Sequence, residues 1–234
     1  ARFINPHVEN IEQIPSMAGT ADKTDNEEVM KQYLKLAEKE GYSKSLSRDI
    51  GIVVDFVSAK LRFMEAREYI EVLFGEPREQ QTELVKLMAP YIKNLEKKGL
   101  EIAKSAATQE EINGILFQPL FIEENFPGFG FYPKPGKATG ILHDYTLNSP
   151  KESGNKNRRV VTAGILSSAI TMRASDEANF SIHKLIARLN KSVPEAFVQG
   201  GGHKNAGAIN FIPSTRKKVL EEFRKYLKDI KKAE

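Results

Sequence analysis

Apolar positions along the 234-residue chain change spacing twice, dividing it into three regions. In the middle region they recur at helical intervals. Val29, Met30, Tyr33, Leu34 and Leu36 predict a helix capped by Asp25 or Asn26 that runs to about Glu40 and ends at Gly41. Ser47 can cap the next helix, with Ile50, Val53, Val54, Val57, Leu61 and Met64 as its buried stripe and Gly75 and Pro77 as its stop. Leu84, Leu87, Met88, Tyr91, Ile92 and Leu95 predict a third helix from about Arg78 to Lys98, kinked or split at Pro90 and ended by Gly99. Ahead of these helices, Phe3 and Ile4 read as the end of a strand, and Ser16–Asn26 as a polar loop.

From about Leu100 the texture mixes two periods. Thr108-Gln-Glu-Glu111 is a capping box and predicts a short helix. Ile115–Ile122 is apolar and β-rich, and Pro119 marks it as an edge strand or a bulge. Asn125–Lys137 reads as a loop rich in Pro, Gly and aromatic residues. Ala138–Thr146, Arg158–Leu166 and Ala169–Ser175 read as strands, the first two joined by a flexible polar turn. Ser181–Asn190 is an amphipathic helix with Ile182, Leu185, Ile186 and Leu189 inward. A strand, AINFI, follows, and then a helix from about Ser214 with Val219, Leu220, Phe223, Tyr226, Leu227 and Ile230 on one face. The expected fold class is α/β (α+β), preceded by an all-helical region.

Composition narrows the chemistry. The chain has no Cys, which excludes disulfides, thiolate catalysis and Cys-ligated metals. No run approaches a membrane span, and the first residues lack a signal-peptide core, so a cytoplasmic location is expected. The first residue is Ala, which suggests a fragment. The net charge of +4 is matched by the excess within Arg216–Glu234 alone, eight Lys/Arg against four Asp/Glu, leaving the rest balanced. Charge by itself therefore does not mark a nucleic-acid binder.

One motif is sharp. Gly200-Gly201-Gly202-His203-Lys204-Asn205-Ala206-Gly207-Ala208 lies between an amphipathic helix and a strand. Successive glycines bring backbone close to a ligand, and their N–H groups can converge on an anion as a nest. His203, Lys204 and Asn205 add a hydrogen-bonding ring, a cation and an amide. The motif is neither a P-loop nor a dinucleotide fingerprint. The pattern suits a phosphate or a phosphodiester; the alternative is a flexible turn with an exposed His.

GGGHKNAGA resembles the GGGHxxAAG signature of the DHHA1 domain of DHH phosphoesterases, departing from it where AGA replaces AAG. ITMRAS is similar to that family's strand carrying an Arg followed by Ser, with SIHKLIARLN between the two motifs, and INPHVEN resembles the segment closing the catalytic domain of RecJ-like members. The resemblance implies the tail of a DHH domain over residues 1–24, an all-helical insertion over 25–99, and over 100–234 a DHHA1 substrate-binding domain with a mixed sheet and flanking helices. The long helical region looks like that of the archaeal GINS-associated nuclease type, which implies docking on the GINS complex and a link to DNA replication or repair. The implied activity of a complete protein is exonucleolytic hydrolysis of single-stranded DNA or RNA, with 3′-to-5′ polarity by subgroup. The alternatives are a non-catalytic replication scaffold and a phosphodiesterase of short oligonucleotides or cyclic dinucleotides.

By the same resemblance, Arg173 grips a backbone phosphate, Gly200, Gly201 and Gly202 supply N–H contacts, His203 assists nearest the reacting phosphate, and Ser175, Lys204 and Asn205 add contacts. Without it, Arg173 reads as a salt-bridge partner of Asp176 or Glu177. The family's two divalent ions, usually Mn2+ with Mg2+ as the alternative, need Asp and His ligands. The chain has four His, and His143-Asp144 is the one adjacent His/Asp pair, with no companion cluster. We expect no metal bound by this chain and no hydrolysis by it alone. His183 reads as structural or surface. Lys156, Arg158 and Arg159 form a basic spot, and Phe126, Phe129, Phe131 and Tyr132 either stack on bases or pack on their own domain.

Overall fold

The computed structural model describes residues 11–21, 26–61, 63–74, 78–126, 132–149, 158–203 and 205–231. Phe3, Ile4, His7, Asp22, Asp25, Gly75, Pro77, Phe129, Phe131, Lys156 and Lys204 lie outside that set, as do the INPHVEN segment and the polar turn after Asn148 beyond Ser149. The chain divides into two compact units, Ala1–Leu95 and Glu96–Glu234.

The first unit is helical: α1 (Ile14–Ala21), α2 (Glu27–Lys39), α3 (Lys44–Lys60), α4 (Phe63–Phe74) and the first part of α5 (Arg78–Ala106). Asn26 caps α2 by accepting from Val29 N at 3.0 Å. Five expectations are corrected here. Ser16–Ala21 is helix rather than loop, with Ser16, Met17 and Gly19 buried. Ser43, not Ser47, caps α3, accepting from Leu46 N; Ser47 lies one turn inside, buried, its Oγ 3.0 Å from Ser16 Oγ. The stripe from Ile50 breaks at Leu61 into two helices, which leaves Met64 exposed and adds Phe56 to the core. In the first-unit part of α5 the buried positions are Gln81, Val85, Ala89 and Ile92; Ile92 is inward as expected, whereas Leu87 and Tyr91 of the expected stripe face solvent. α5 also continues through Pro90 and Gly99. Gly99 is there because a methyl at its Cα would stand 2.6 Å from the Pro133 ring.

The second unit is built on a six-stranded mixed sheet, order β1-β2-β3-β4-β6-β5. The strands are β1 (Glu110–Ile112), β2 (Ile115–Phe121), β3 (Val160–Ile165), β4 (Ala169–Ala174), β5 (Gln199–His203) and β6 (Ala206–Asn210). Only β2 and β3 pair in parallel. Between them run α6 (Ile122–Asn125) and α7 (Pro135–Asn148), while α8 (Ile182–Ser192) and α9 (Arg216–Asp229) complete the unit. No helix begins at Thr108, and Glu110–Ile112 form strand β1 instead. β2 is internal in strand order, and Pro119 is tolerated because β1 pairs only with Ile115–Phe117, so Thr108 N donates to Pro119 O where an N–H from Pro119 is not needed.

The sheet's two faces differ. Ile115, Phe117, Val161, Ala163, Ile165, Ile170, Met172 and Ile209 pack with Ile182, Leu185, Leu189, Val219, Phe223 and Leu227 of α8 and α9 in the main core. Alternation puts Gln118, Thr162, Gly164, Thr171, Arg173, Ala206, Ala208, Gly201 and His203 on the other face. α7 covers part of that face, packing on β3 and β4. Residues 138–146, expected as a strand, are in this helix. Ala138, Thr139, Leu142, His143 and Thr146 are buried at helical spacing, and Pro135 sits in the first turn, where its missing N–H costs nothing.

Candidate phosphodiester-binding site

β4 is flanked by β3 on one side and by β6 and then β5 on the other. Arg173 lies opposite Ala206, which lies opposite His203, so the three form one row across the sheet on the face away from the main core. Two inter-strand spacings put the ends of that row about 10 Å apart. The next row is Thr171, Ala208 and Gly201. Between Arg173 and His203 the surface is therefore floored by Ala206, Ala208 and Gly201. A methyl built at Gly201 meets nothing within 4 Å. His203 is exposed and Arg173 half-buried.

Gly200-Gly201-Gly202 is an extended edge strand, not a loop, and this corrects the expectation of a nest. Successive N–H groups in a strand point to opposite sides, so the three do not converge. Asn205 O accepts from Ala174 N and Phe211 N donates to Ser168 O, which turns the odd-numbered positions of β6 towards β4 and its even-numbered ones towards β5. In antiparallel pairing, Gly201 and His203 then bond to β6, while the N–H groups of Gly200 and Gly202 face outward along the sheet edge, unpaired with another strand among the described residues. Glycine is required at both outward positions: φ is +153° at Gly200 and +152° at Gly202, and a methyl would come 2.2 Å from Ala208 O and Ala206 O respectively. Gly207 is constrained on the main-core face, where a methyl would meet Ile182 Cδ1 at 2.5 Å.

Arg173 Nη1 donates to Met172 O at 3.3 Å, and among the described residues no carboxylate pairs with its guanidinium. The salt bridge to Asp176 or Glu177 is thus not formed. Asp176 instead accepts from Asn205 Nδ2 at 2.6 Å, which fastens the β5–β6 turn beside the row. Ser175 is buried; its hydroxyl donates to Arg158 O and accepts from Val160 N, so it ties β4 to the start of β3. Arg158 donates to Thr146 O, and Arg159 to Glu177 O and Asn113 O, which commits both guanidinium groups of the basic spot to backbone carbonyls. His183 is exposed on α8. Phe126 is buried with Leu120, Ile122, Ala138 and Leu142, and Tyr132 is buried with its hydroxyl donating to Glu96. These two aromatic residues pack within their own unit.

Sequence reasoning missed a buried polar chain beneath Arg173. Thr162 Oγ1 donates to Gln118 Oε1 at 3.1 Å, so it accepts from His143 Nδ1 at 3.0 Å, which places the imidazole proton on Nδ1. Burial pushes the His143 pKa down to about 4, with the nearby Arg173 charge acting in the same direction and Asp144 opposing. His143 is neutral at physiological pH. The signal was present in the helical spacing of Ala138, Leu142 and Thr146, hidden by the β-like alternation of ILHDYT.

Among the described residues there is no group of three or more His, Asp or Glu side chains that could hold an ion, and His143 is buried while Asp144 is exposed. Among the described residues, too, no helix is long and apolar enough to cross a membrane.

No family model matches the chain. Over 255 aligned residues it is 30% identical to an uncharacterized protein of Methanocaldococcus jannaschii, covering all of this chain and 33% of that protein. The solved DHH domain of a protein described as a member of a ribosomal-protein family superposes with a TM-score of 0.81 at 33% identity, over 98% of this chain and 53% of that one. RecJ of Thermus thermophilus in complex with Mg2+ superposes with a TM-score of 0.57 at 17% identity, over 95% of this chain and 35% of RecJ. The chain thus spans about a third of the curated relative and about half of the solved DHH protein. With its mixed six-stranded sheet and flanking helices, the chain has the DHH/RecJ-like fold.

Proposed function

We propose that this chain is the substrate-binding and partner-binding part of a RecJ-like phosphoesterase, and that its second unit grips the backbone of single-stranded DNA or RNA. The observation that carries the reading is Arg173. Its guanidinium is free of carboxylates among the described residues and stands at the border of a floor of Gly and Ala. A planar fork of N–H donors matches phosphate oxygens, and a floor without side chains admits an extended backbone. The outward N–H groups of Gly200 and Gly202 add donors along the edge, and His203 closes the row. Lys204 is read as a further cation by its place in the motif.

In this reading, hydrolysis is a property of the whole protein. The divalent ion, Mn2+ or Mg2+, that RecJ was crystallised with is held by residues other than those described in this chain, and this chain's residues bind and orient the phosphodiester. The partner reading rests on the first unit. Met64, Leu87 and Tyr91 are 70%, 73% and 51% exposed there, apolar area that suits a protein partner. The resemblance of its layout names GINS as that partner, to be tested by co-purification with and without Leu87→Ser.

The nucleic-acid reading is tested by fluorescence anisotropy of the chain with a short labelled single strand at low and high salt, beside Arg173→Ala. The expected result is salt-sensitive binding that the substitution weakens about tenfold, the order expected for losing a charge-assisted hydrogen bond. Binding unchanged by Arg173→Ala would remove Arg173 from the site.

A further inference from the structure

We propose that α7 is the positioning element for Arg173: Gly140 opens the slot along which the guanidinium lies, and the hydrogen-bonded chain His143–Thr162–Gln118 holds the helix at the depth that keeps this slot. The inference rests on the reading of Arg173 as the phosphate-gripping residue. Arg173 Nε stands 3.6 Å from where a Cβ at Gly140 would be, so any side chain there longer than a methyl occupies the guanidinium's place. The helix sits unusually close to the sheet. A methyl at Gly164 of β3 would come 2.1 Å from Thr139 Oγ1, and Thr139 Oγ1 is 2.8 Å from Thr171 Oγ1 of β4. One turn on, His143 reaches Thr162, the residue directly opposite Arg173 in the β3–β4 register. Two glycines, one on each element, and three hydrogen-bonded side chains thus set the gap in which Arg173 lies. Among the described residues the guanidinium's own hydrogen bond reaches only the neighbouring carbonyl, Met172 O, so the walls of this gap decide where it points.

The test uses this chain, the anisotropy assay and thermal unfolding together. Gly140→Ala fits the space and should bind as the parent does. Gly140→Leu should weaken binding about tenfold and lower the salt slope by about 0.7, as expected for one lost phosphate contact on a single strand. Its thermal midpoint should be unchanged or higher, because Leu is a better helix former than Gly. The double variant with Arg173→Ala should bind no more weakly than Arg173→Ala alone, a non-additivity that general loosening of the fold would not produce. His143→Asn, which keeps a donor for Thr162, should bind as the parent does, and His143→Leu should bind more weakly; this pair decides the matter should Gly140→Leu fail to fold. Parent-like affinity of Gly140→Leu beside a weakened Arg173→Ala would overturn the positioning role and leave the functional reading standing. Parent-like affinity of Arg173→Ala, or no salt-sensitive binding by the parent, would overturn both.

Discussion

His143 makes the stability of the second unit depend on pH in a direction that can be worked out. The residue is 5% exposed, bonded through Nδ1 to Thr162, and its pKa falls from the ordinary 6.5 to about 4, chiefly because burial disfavours the charged form, with Asp144 opposing and Arg173 adding to the fall. The folded value lies below the unfolded one, so on acidification the unfolded chain takes up the proton first. The stability contributed by the neutral ring is complete above about 6.5 and is lost as the pH falls towards about 4. Linkage sets the slope at about 1.4 kcal/mol per pH unit within that window, and the whole effect at about 3 kcal/mol. His143→Asn keeps a donor facing Thr162 and removes the titration. Urea unfolding of parent and variant between about pH 5 and about pH 8, followed by circular dichroism, gives the difference curve, in which the carboxylates cancel. The parent should lose stability relative to the variant by about 2 kcal/mol across that range. Parallel curves, or a parent that gains on the variant at low pH, would refute the buried neutral imidazole.

The edge strand gives a second prediction. Gly200→Ala and Gly202→Ala each place a methyl against a carbonyl in a backbone region reserved for glycine, and each should cost at least about 2 kcal/mol by urea unfolding. Gly201→Ala points into open space and should leave the fold's stability unchanged. A third concerns the Glu110–Arg224 pair, two bonds of 2.9 and 2.8 Å between β1 and α9. The Arg224 hydrogen bonds hold the Glu110 carboxyl below its ordinary range, so the pair stabilises fully above that range and less as the pH drops through it. Glu110→Gln should cost about 1 kcal/mol near neutral pH, discounted for partial exposure, and the cost should shrink on acidification.

The strongly periodic elements are legible in the sequence: α2, α8 and α9, and strands β3 and β4, follow apolar spacing closely, while the strand expected over AINFI starts two residues earlier, as β6. α7 is not. Its sequence alternates like a strand over ILHDYT, and the deciding fact, a sheet face that accepts Ala138, Leu142 and Thr146 together, is tertiary. β1 shows the converse, a capping-box sequence drawn into an antiparallel pair with β2. The glycine motif stands out by composition, but its conformation does not. Three glycines read as a turn, whereas the close carbonyls of β6 make glycine necessary inside a strand. Arg173 is identified through its resemblance to a family strand, and the row it forms with Ala206 and His203 follows only from the register.

The central claim is that a nucleic-acid strand lies on the Gly/Ala floor between Arg173 and His203. Backbone amide NMR of this chain, titrated with a short single-stranded oligonucleotide, tests it most directly. Shifts should concentrate at Thr171, Arg173, Gly200, Gly201, Gly202, His203, Ala206 and Ala208. Shifts confined to the exposed lysines of α9, with the β4–β6–β5 amides unmoved, would contradict it.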